Sequence, residues 1–216
     1  EELFVNNSGQ NFTVEKFYKK KQMQKNIAIL AGGDSSEFPV SMNSAKTIRE
    51  SLNRENYNPY LIIVRGTEWK LDMEGENEVL INKDDFSCTL DGEKIQFDCA
   101  FIIIHGTPGE NGILQGYFET LRIPYTTCGV LSSSMTFNKV FSKNYIRYFG
   151  IPTSRFYVIR RNEPYLTDHV VYHTGLPCFV KPNRGGSSFG VSKVFKKKNL
   201  EDAIDKAFDE DYEEIG

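Results

Sequence analysis

The sequence predicts an α/β protein in which an open parallel sheet is followed by a second, α+β unit, and three observations carry that expectation. Ile27-Ala-Ile-Leu30, Tyr60-Leu-Ile-Ile-Val64 and Ala100-Phe-Ile-Ile-Ile104 are short unbroken apolar runs, the pattern of strands buried on both faces of a parallel sheet. Helical spacing alternates with them, since Ala45, Ile48 and Leu52 share one face of a helix expected over Ser41 to Leu52. Further on, Cys178 to Phe195 reads as two strands joined by a Gly/Ser loop, an antiparallel hairpin.

Residues 1–24 are polar and basic, with no clear strand or helical period, and read as a flexible N-terminal extension. A parallel-sheet domain is expected over 25–127. Within it, 31–37 forms the turn before the first helix, and 69–98 forms a hairpin excursion with Asp91-Gly92 as its turn. The strand at Ala100 ends on His105-Gly106; a helix follows over Gly112 to Leu121, then a short edge strand over Pro124 to Thr126. The second unit is expected over 128–216. One or two helices span Ser132 to Phe149, a strand covers Phe156 to Ile159, and 164–175 is an irregular connection. After the hairpin, Leu200 to Phe208 is a helix, and the acidic run from Asp209 leads toward a further strand.

With 216 residues, 39% hydrophobic and 25% charged, the chain is long enough for one large core or two small ones. The net charge of −3 gives no basic field, so a nucleic-acid partner is not expected. No apolar run reaches the roughly 18 residues that span a bilayer, and no signal peptide is evident, so no membrane partner and a cytoplasmic location are expected. The four cysteines lack C-x-x-C spacing and read as reduced structural residues. His169 and His173 stand four apart without the adjacent glutamate of the metalloprotease signature, and no metal site is expected within these residues.

The hairpin loop carries chemistry. Gly185, Gly186 and Gly190 permit close backbone approach to a ligand, while successive N–H groups and the hydroxyls of Ser187 and Ser188 converge on an anion, with Lys181 as a point charge. Taken alone, it fits an ordinary Gly-rich hairpin with a solvated lysine equally well. The G-x-x-x-x-G-K-[S/T] order is absent and the glycines do not open a helix, which excludes the two commonest nucleotide signatures. Open parallel sheets place ligands beyond the carboxyl ends of their strands, where both 33–37 and 105–112 fall. There Glu37 is suited to a substrate ammonium, although helix N-termini favour acidic residues anyway. His105 is suited to a developing negative charge, or is a strand-end histidine with one satisfied nitrogen. Lys139, after Asn138, either reaches a phosphate from the side opposite Lys181 or is a surface lysine.

Taken in order, the motifs are Gly32-Gly33-x-Ser35-x-Glu37-x-x-Val40-Ser41, then His105-Gly106-x-x-Gly109-Glu110-x-Gly112-x-x-Gln115-Gly116, Ile123-Pro-Tyr-Thr126, Asn138-Lys139, Gly150-Ile-Pro-Thr153 and the Lys181 to Gly190 loop. Together they resemble the D-alanine–D-alanine ligase family, from about Asn26 to the end. The resemblance implies a Rossmann-like, pre-ATP-grasp domain followed by the central subdomain of an ATP-grasp fold. It implies ATP and Mg²⁺ as cofactors, D-alanine as substrate, a homodimer at full length, and a place in peptidoglycan synthesis. ATP would phosphorylate one D-alanine and the amine of a second would attack the acyl phosphate. By position, Glu37 orients the first ammonium, His105 lies near its carboxylate, Lys139 and Lys181 serve the ATP phosphates, Ser187 seals the site, and Gly186 and Ser188 complete the phosphate grip.

Asn111 and Thr127-Cys128 depart from the common pattern at positions with no direct chemical part. The family's third domain, with its Mg²⁺ ligands, adenine strand and oxyanion arginine, has no counterpart before Gly216. The chain is therefore expected to be a fragment, inactive by itself. A D-alanine–D-lactate or D-alanine–D-serine ligase, and a non-catalytic binding module, are the competing expectations.

Overall fold

The computed structural model describes residues 24–73, 78–186 and 188–211, together with the backbone of three short strands at 3–5, 11–13 and 214–215. In chain order the elements are β1 (Leu3–Val5), β2 (Asn11–Thr13), β3 (Lys25–Gly32), α1 (Phe38–Ser51), β4 (Tyr57–Arg65), β5 (Glu68–Leu71), β6 (Val79–Leu80), β7 (Ser87–Leu90), β8 (Glu93–Gln96) and β9 (Cys99–Ile102). There follow α2 (Ile113–Leu121), α3 (Val130–Phe137), α4 (Lys139–Tyr148), β10 (Ile159–Arg160), α5 (Thr167–Thr174), β11 (Cys178–Val180), β12 (Ser192–Val194), α6 (Leu200–Phe208) and β13 (Glu214–Ile215).

The first sheet runs β6-β5-β4-β3-β9. Its centre is parallel as expected, with β3 pairing β4 and β9, whereas β5 and β6 add antiparallel strands, so the sheet is mixed. The expected excursion over 69–98 is thus two structures, an antiparallel extension of the sheet and a separate β7–β8 hairpin. The edge strand expected over Pro124 to Thr126 shrinks to a bridge between Ala100 and Tyr125. β3 is buried along Ile27 to Gly32 because helices or loops cover both faces. On one face Ala45 and Ile48 of α1, with Leu52 just past its end, pack on Ile29 and Leu61. On the other, Leu114 and Phe118 of α2 meet Phe86 and Phe97, with the Phe86 and Phe118 rings 4.8 Å apart and near perpendicular. Phe86 and Phe118 are fully buried, each contributing about 1.5–3 kcal/mol of transfer free energy.

The second unit has its own core, in which Leu200, Ile204 and Phe208 of α6 lie on Val180 and Val194 of the β11–β12 hairpin. The helical stretch, expected as one or two helices, is two, α3 and α4, divided at Asn138, whose extended backbone and side-chain acceptor for Phe141 N–H start α4. Three corrections arise here and at the N-terminus. The strand expected over Phe156 to Ile159 is confined to Ile159–Arg160, and the acidic run does lead to β13, its antiparallel partner. The region read as irregular holds α5, anchored by buried Val170. Finally, β1 and β2 pair where no strand was expected.

Candidate functional site

The loops after β3 and β9 are knitted together before either touches a ligand. Asp34 N–H donates to the Thr107 carbonyl (2.9 Å) and Ser35 Oγ donates to the His105 carbonyl (2.9 Å). Ser41 Oγ receives from Gly32 N–H and donates to the Ile103 carbonyl, tying α1 to both strand ends. Gly106 N–H in turn donates to Glu110 Oε2 at 2.8 Å.

Glu37 precedes α1, and its carbonyl accepts from Ser41 N–H, yet its carboxylate makes no cap bond to the helix. A side-chain cap bond is therefore not what holds an acid at this position. The side chain is buried, 4% exposed, and turned toward the second unit. A Cβ added to Gly186 would stand 2.9 Å from Glu37 Oε2, and one added to Gly106 would stand 3.4 Å from the same oxygen. Two of the predicted pieces, Glu37 and the Gly/Ser loop, thus meet directly. They help line a cavity of about 270 Å³ with Asp34, Ser36, Thr107 and Glu210. Ser36 Oγ donates to Glu210 Oε2 at 2.7 Å, closing one side of this cavity. His105 is half-buried beside it; Gly106 and Thr107 supply the lining there.

On the other side of the loop lies a larger cavity of about 560 Å³, within the range of small-molecule and cofactor sites. Lys139, Lys143, Lys181 and Arg155 give it a cationic wall, and Phe156 and Phe179 an apolar one. The sequence reading found Lys139 and Lys181 but missed Lys143 and Arg155. The signal was helical spacing: Lys143 is one turn beyond Lys139 on α4 and so shares its face. Lys143 is held by Ser154 Oγ at 2.9 Å and lies 4.9 Å from the Phe156 ring centre. Burial, then the charges of Lys181 and Arg147, push its ammonium below the ordinary lysine range.

Lys139 is partly committed to the protein. Its Nζ donates to the carbonyls of Gly185 (2.6 Å) and Asn183 (3.2 Å). An ammonium has three donors, so one remains for the cavity that Lys139 lines. Its pKa is lowered by burial first and by neighbouring Lys181 second, against the opposing charges of Asp211, Glu37 and Glu110. Gly186 lines both cavities, Ser188 lines the larger one, and Ser187 lies outside the described residues. Among the described residues no cluster of three or more His, Cys, Asp or Glu stands ready to hold a metal ion. The four cysteines carry free thiols, and no described helix is long and apolar enough to cross a membrane.

Comparison with known proteins gives this geometry relatives. Residues 26–128 match the family described as D-ala D-ala ligase N-terminus, and residues 145–215 match D-ala D-ala ligase C-terminus. A D-alanine--D-alanine ligase of Phocaeicola vulgatus is 48% identical over 188 residues, 87% of this chain and 58% of that protein. One from Bacteroides fragilis is 45% identical over the same number of residues and the same shares. Among solved structures, D-alanyl-alanine synthetase A of Vibrio cholerae superposes with a TM-score of 0.77 at 29% identity, covering 89% of this chain and 58% of that one. The VanG D-Ala:D-Ser ligase of Enterococcus faecalis gives 0.73 at 31% identity, with 89% and 62% covered. The chain therefore spans under two thirds of the length of these relatives.

Proposed function

Because the chain belongs to the D-alanine–D-alanine ligase family, we propose that it carries the first-substrate site and one wall of the nucleotide site of an ATP-dependent ligase joining two D-alanine molecules in peptidoglycan precursor synthesis. One observation supports this above the others: the buried Glu37 carboxylate and the cationic cavity lie on opposite sides of one Gly/Ser loop. An amino-acid ammonium bound at Glu37 puts its own carboxylate near that loop, facing the lysines that would hold ATP.

In this reading the carboxylate of the first D-alanine attacks the γ-phosphorus of ATP, giving an acyl phosphate and ADP. The amine of the second D-alanine then attacks the acyl carbon, and phosphate leaves. Lys139 and Lys181 oppose the negative charge of the phosphates, and Gly186, Ser187 and Ser188 bring backbone and hydroxyl donors to it. Glu37 fixes the first ammonium, and His105 serves its carboxylate. The cavity's cations and aromatic wall fit a nucleotide; Mg²⁺ finds no ligand cluster among the described residues. Free thiols accord with a cytoplasmic setting.

The likeness to the Enterococcus faecalis D-Ala:D-Ser ligase keeps D-serine in view as a second substrate. The test is ADP release by the protein as its gene encodes it, with D-alanine alone and with D-alanine plus D-lactate or D-serine. D-alanine-dependent ADP release with formation of D-alanyl-D-alanine is expected. A mixed product formed in preference would replace the D-alanine reading, and no turnover with any of the three would remove it.

A further inference from the structure

The first limb of the Gly/Ser loop is gripped from two sides. On one side, the start of α4 holds it: Lys139 N–H donates to the Asn183 carbonyl, Val140 N–H to Asn183 Oδ1, and Asn138 forms an isolated bridge with Arg184. On the other stands Asp211, three residues past α6, whose side chain is only 2% exposed. Its Oδ2 accepts from Arg184 N–H (2.7 Å) and Nε (3.3 Å), and its Oδ1 from a terminal guanidinium nitrogen (2.9 Å). One carboxylate thus fixes both the backbone and the side chain of the residue two places before Gly186.

An ion pair with a buried carboxylate gains little stability over an apolar substitute, because desolvation offsets the attraction; Asp211 is buried while the Arg184 side chain is 38% exposed, and the more distinctive effect of the pair is to fix one arrangement. The arrangement fixed here is the one that matters chemically, since Gly185 and Gly186 form a wall common to both cavities. We propose that Asp211 is a positioning residue for ligation: through Arg184 it sets the wall between the two cavities, holding Gly186 against Glu37. A wall set loosely admits water to the acyl phosphate. Water then takes the place of the second amine, and the products are D-alanine, phosphate and ADP without a dipeptide bond. The inference rests on the ligase reading for its kinetic consequence and on geometry alone for its structural one.

Both are tested in the protein as its gene encodes it. Asp211→Asn is nearly isosteric and keeps one acceptor oxygen. It is expected to raise the ratio of ADP released to dipeptide formed several-fold and the KM for D-alanine about tenfold. Arg184→Gln should reproduce this, and the double substitution should add nothing further. A wild-type ratio and KM in Asp211→Asn, whatever its thermal midpoint, would overturn the proposal. If Asp211→Asn does not fold, Arg184→Lys, which keeps the charge but loses the planar fork, takes its place with the same criterion. If the wild type forms no dipeptide, the ligase reading fails separately, and exchange of the Arg184 amide hydrogen decides the structural claim. Exchange about tenfold faster in Asp211→Asn supports it, and an unchanged rate overturns it.

Discussion

Glu37 and Gly186, 149 positions apart in the chain, are packed so closely that a single added carbon on Gly186 would lie 2.9 Å from one Glu37 carboxylate oxygen and 3.1 Å from the other. The first comes from the turn before α1, the second from the loop between β11 and β12. Their contact joins the turn before α1 to the wall that the two cavities share.

Gly186→Ala is therefore expected to displace the Glu37 carboxylate while leaving both cores untouched. The KM for D-alanine should rise about tenfold, equivalent to about 1.4 kcal/mol, with the thermal midpoint nearly unchanged. Steady-state kinetics beside a melting curve check this. A lowered thermal midpoint with no change in KM would show that the contact is structural only.

Removing the charge in place, by Glu37→Gln, separates electrostatics from shape. A hydrogen bond to a charged group is worth about 1.5–3 kcal/mol, so KM should rise roughly ten- to a hundred-fold. Nucleotide affinity, read by titration calorimetry with a non-hydrolysable ATP analogue, should change far less. Equal losses in both would mean that Glu37 does not belong to the amino-acid side.

Lys139 makes the nucleotide side sensitive to pH. Its folded-state pKa lies below the ordinary 10.5, so as pH rises it loses its proton before an exposed lysine does. A neutral amine no longer attracts phosphate, and affinity for the ATP analogue should fall as pH rises, with a midpoint below 10.5. Lys139→Arg, which stays charged, should remove that fall. For stability the sign is the reverse. Between the lowered folded value and the unfolded one, the unfolded chain binds more protons, so this group's contribution to folding improves as pH rises.

Gly106 tests the other end of the site. Its φ is +73°, and a Cβ there would stand 2.9 Å from Ser35 Oγ, which is fixed on the His105 carbonyl. Gly106→Ala should cost about 1–2 kcal/mol for the left-handed backbone alone. In a chain of this length that lowers the thermal midpoint by about 2–8 °C, measurable by calorimetry. An unchanged midpoint would mean that the two loops are not locked together.

Much of this was legible because local pattern and long-range role agree. Apolar runs at Ile27 and Ala100 announced strands buried on both sides, and a lysine closing a strand before Gly185 marked the hairpin whose loop lines both cavities. Other features lacked a local mark. Asp211 sits in an acidic run that reads only as the approach to a further strand, and the return of the chain past the hairpin gives it Arg184 as partner. His169 and His173 have a helix's spacing, but Pro164 and Gly175 at the borders, with Val170 as the single buried residue in α5, left too weak a period to declare one. β5 and β6 were hidden for a similar reason, since an antiparallel extension and a free hairpin share the same alternation.

Gly185, Gly186 and Phe189 form one partition with a chamber on either side. A partition cannot move toward one chamber without enlarging the other. In the proposed ligase reading, a nucleotide in one chamber and an amino acid in the other change each other's hold by the same factor, because their binding free energies are coupled through this one segment of chain. Substitutions in the segment that touch neither ligand would then change that factor.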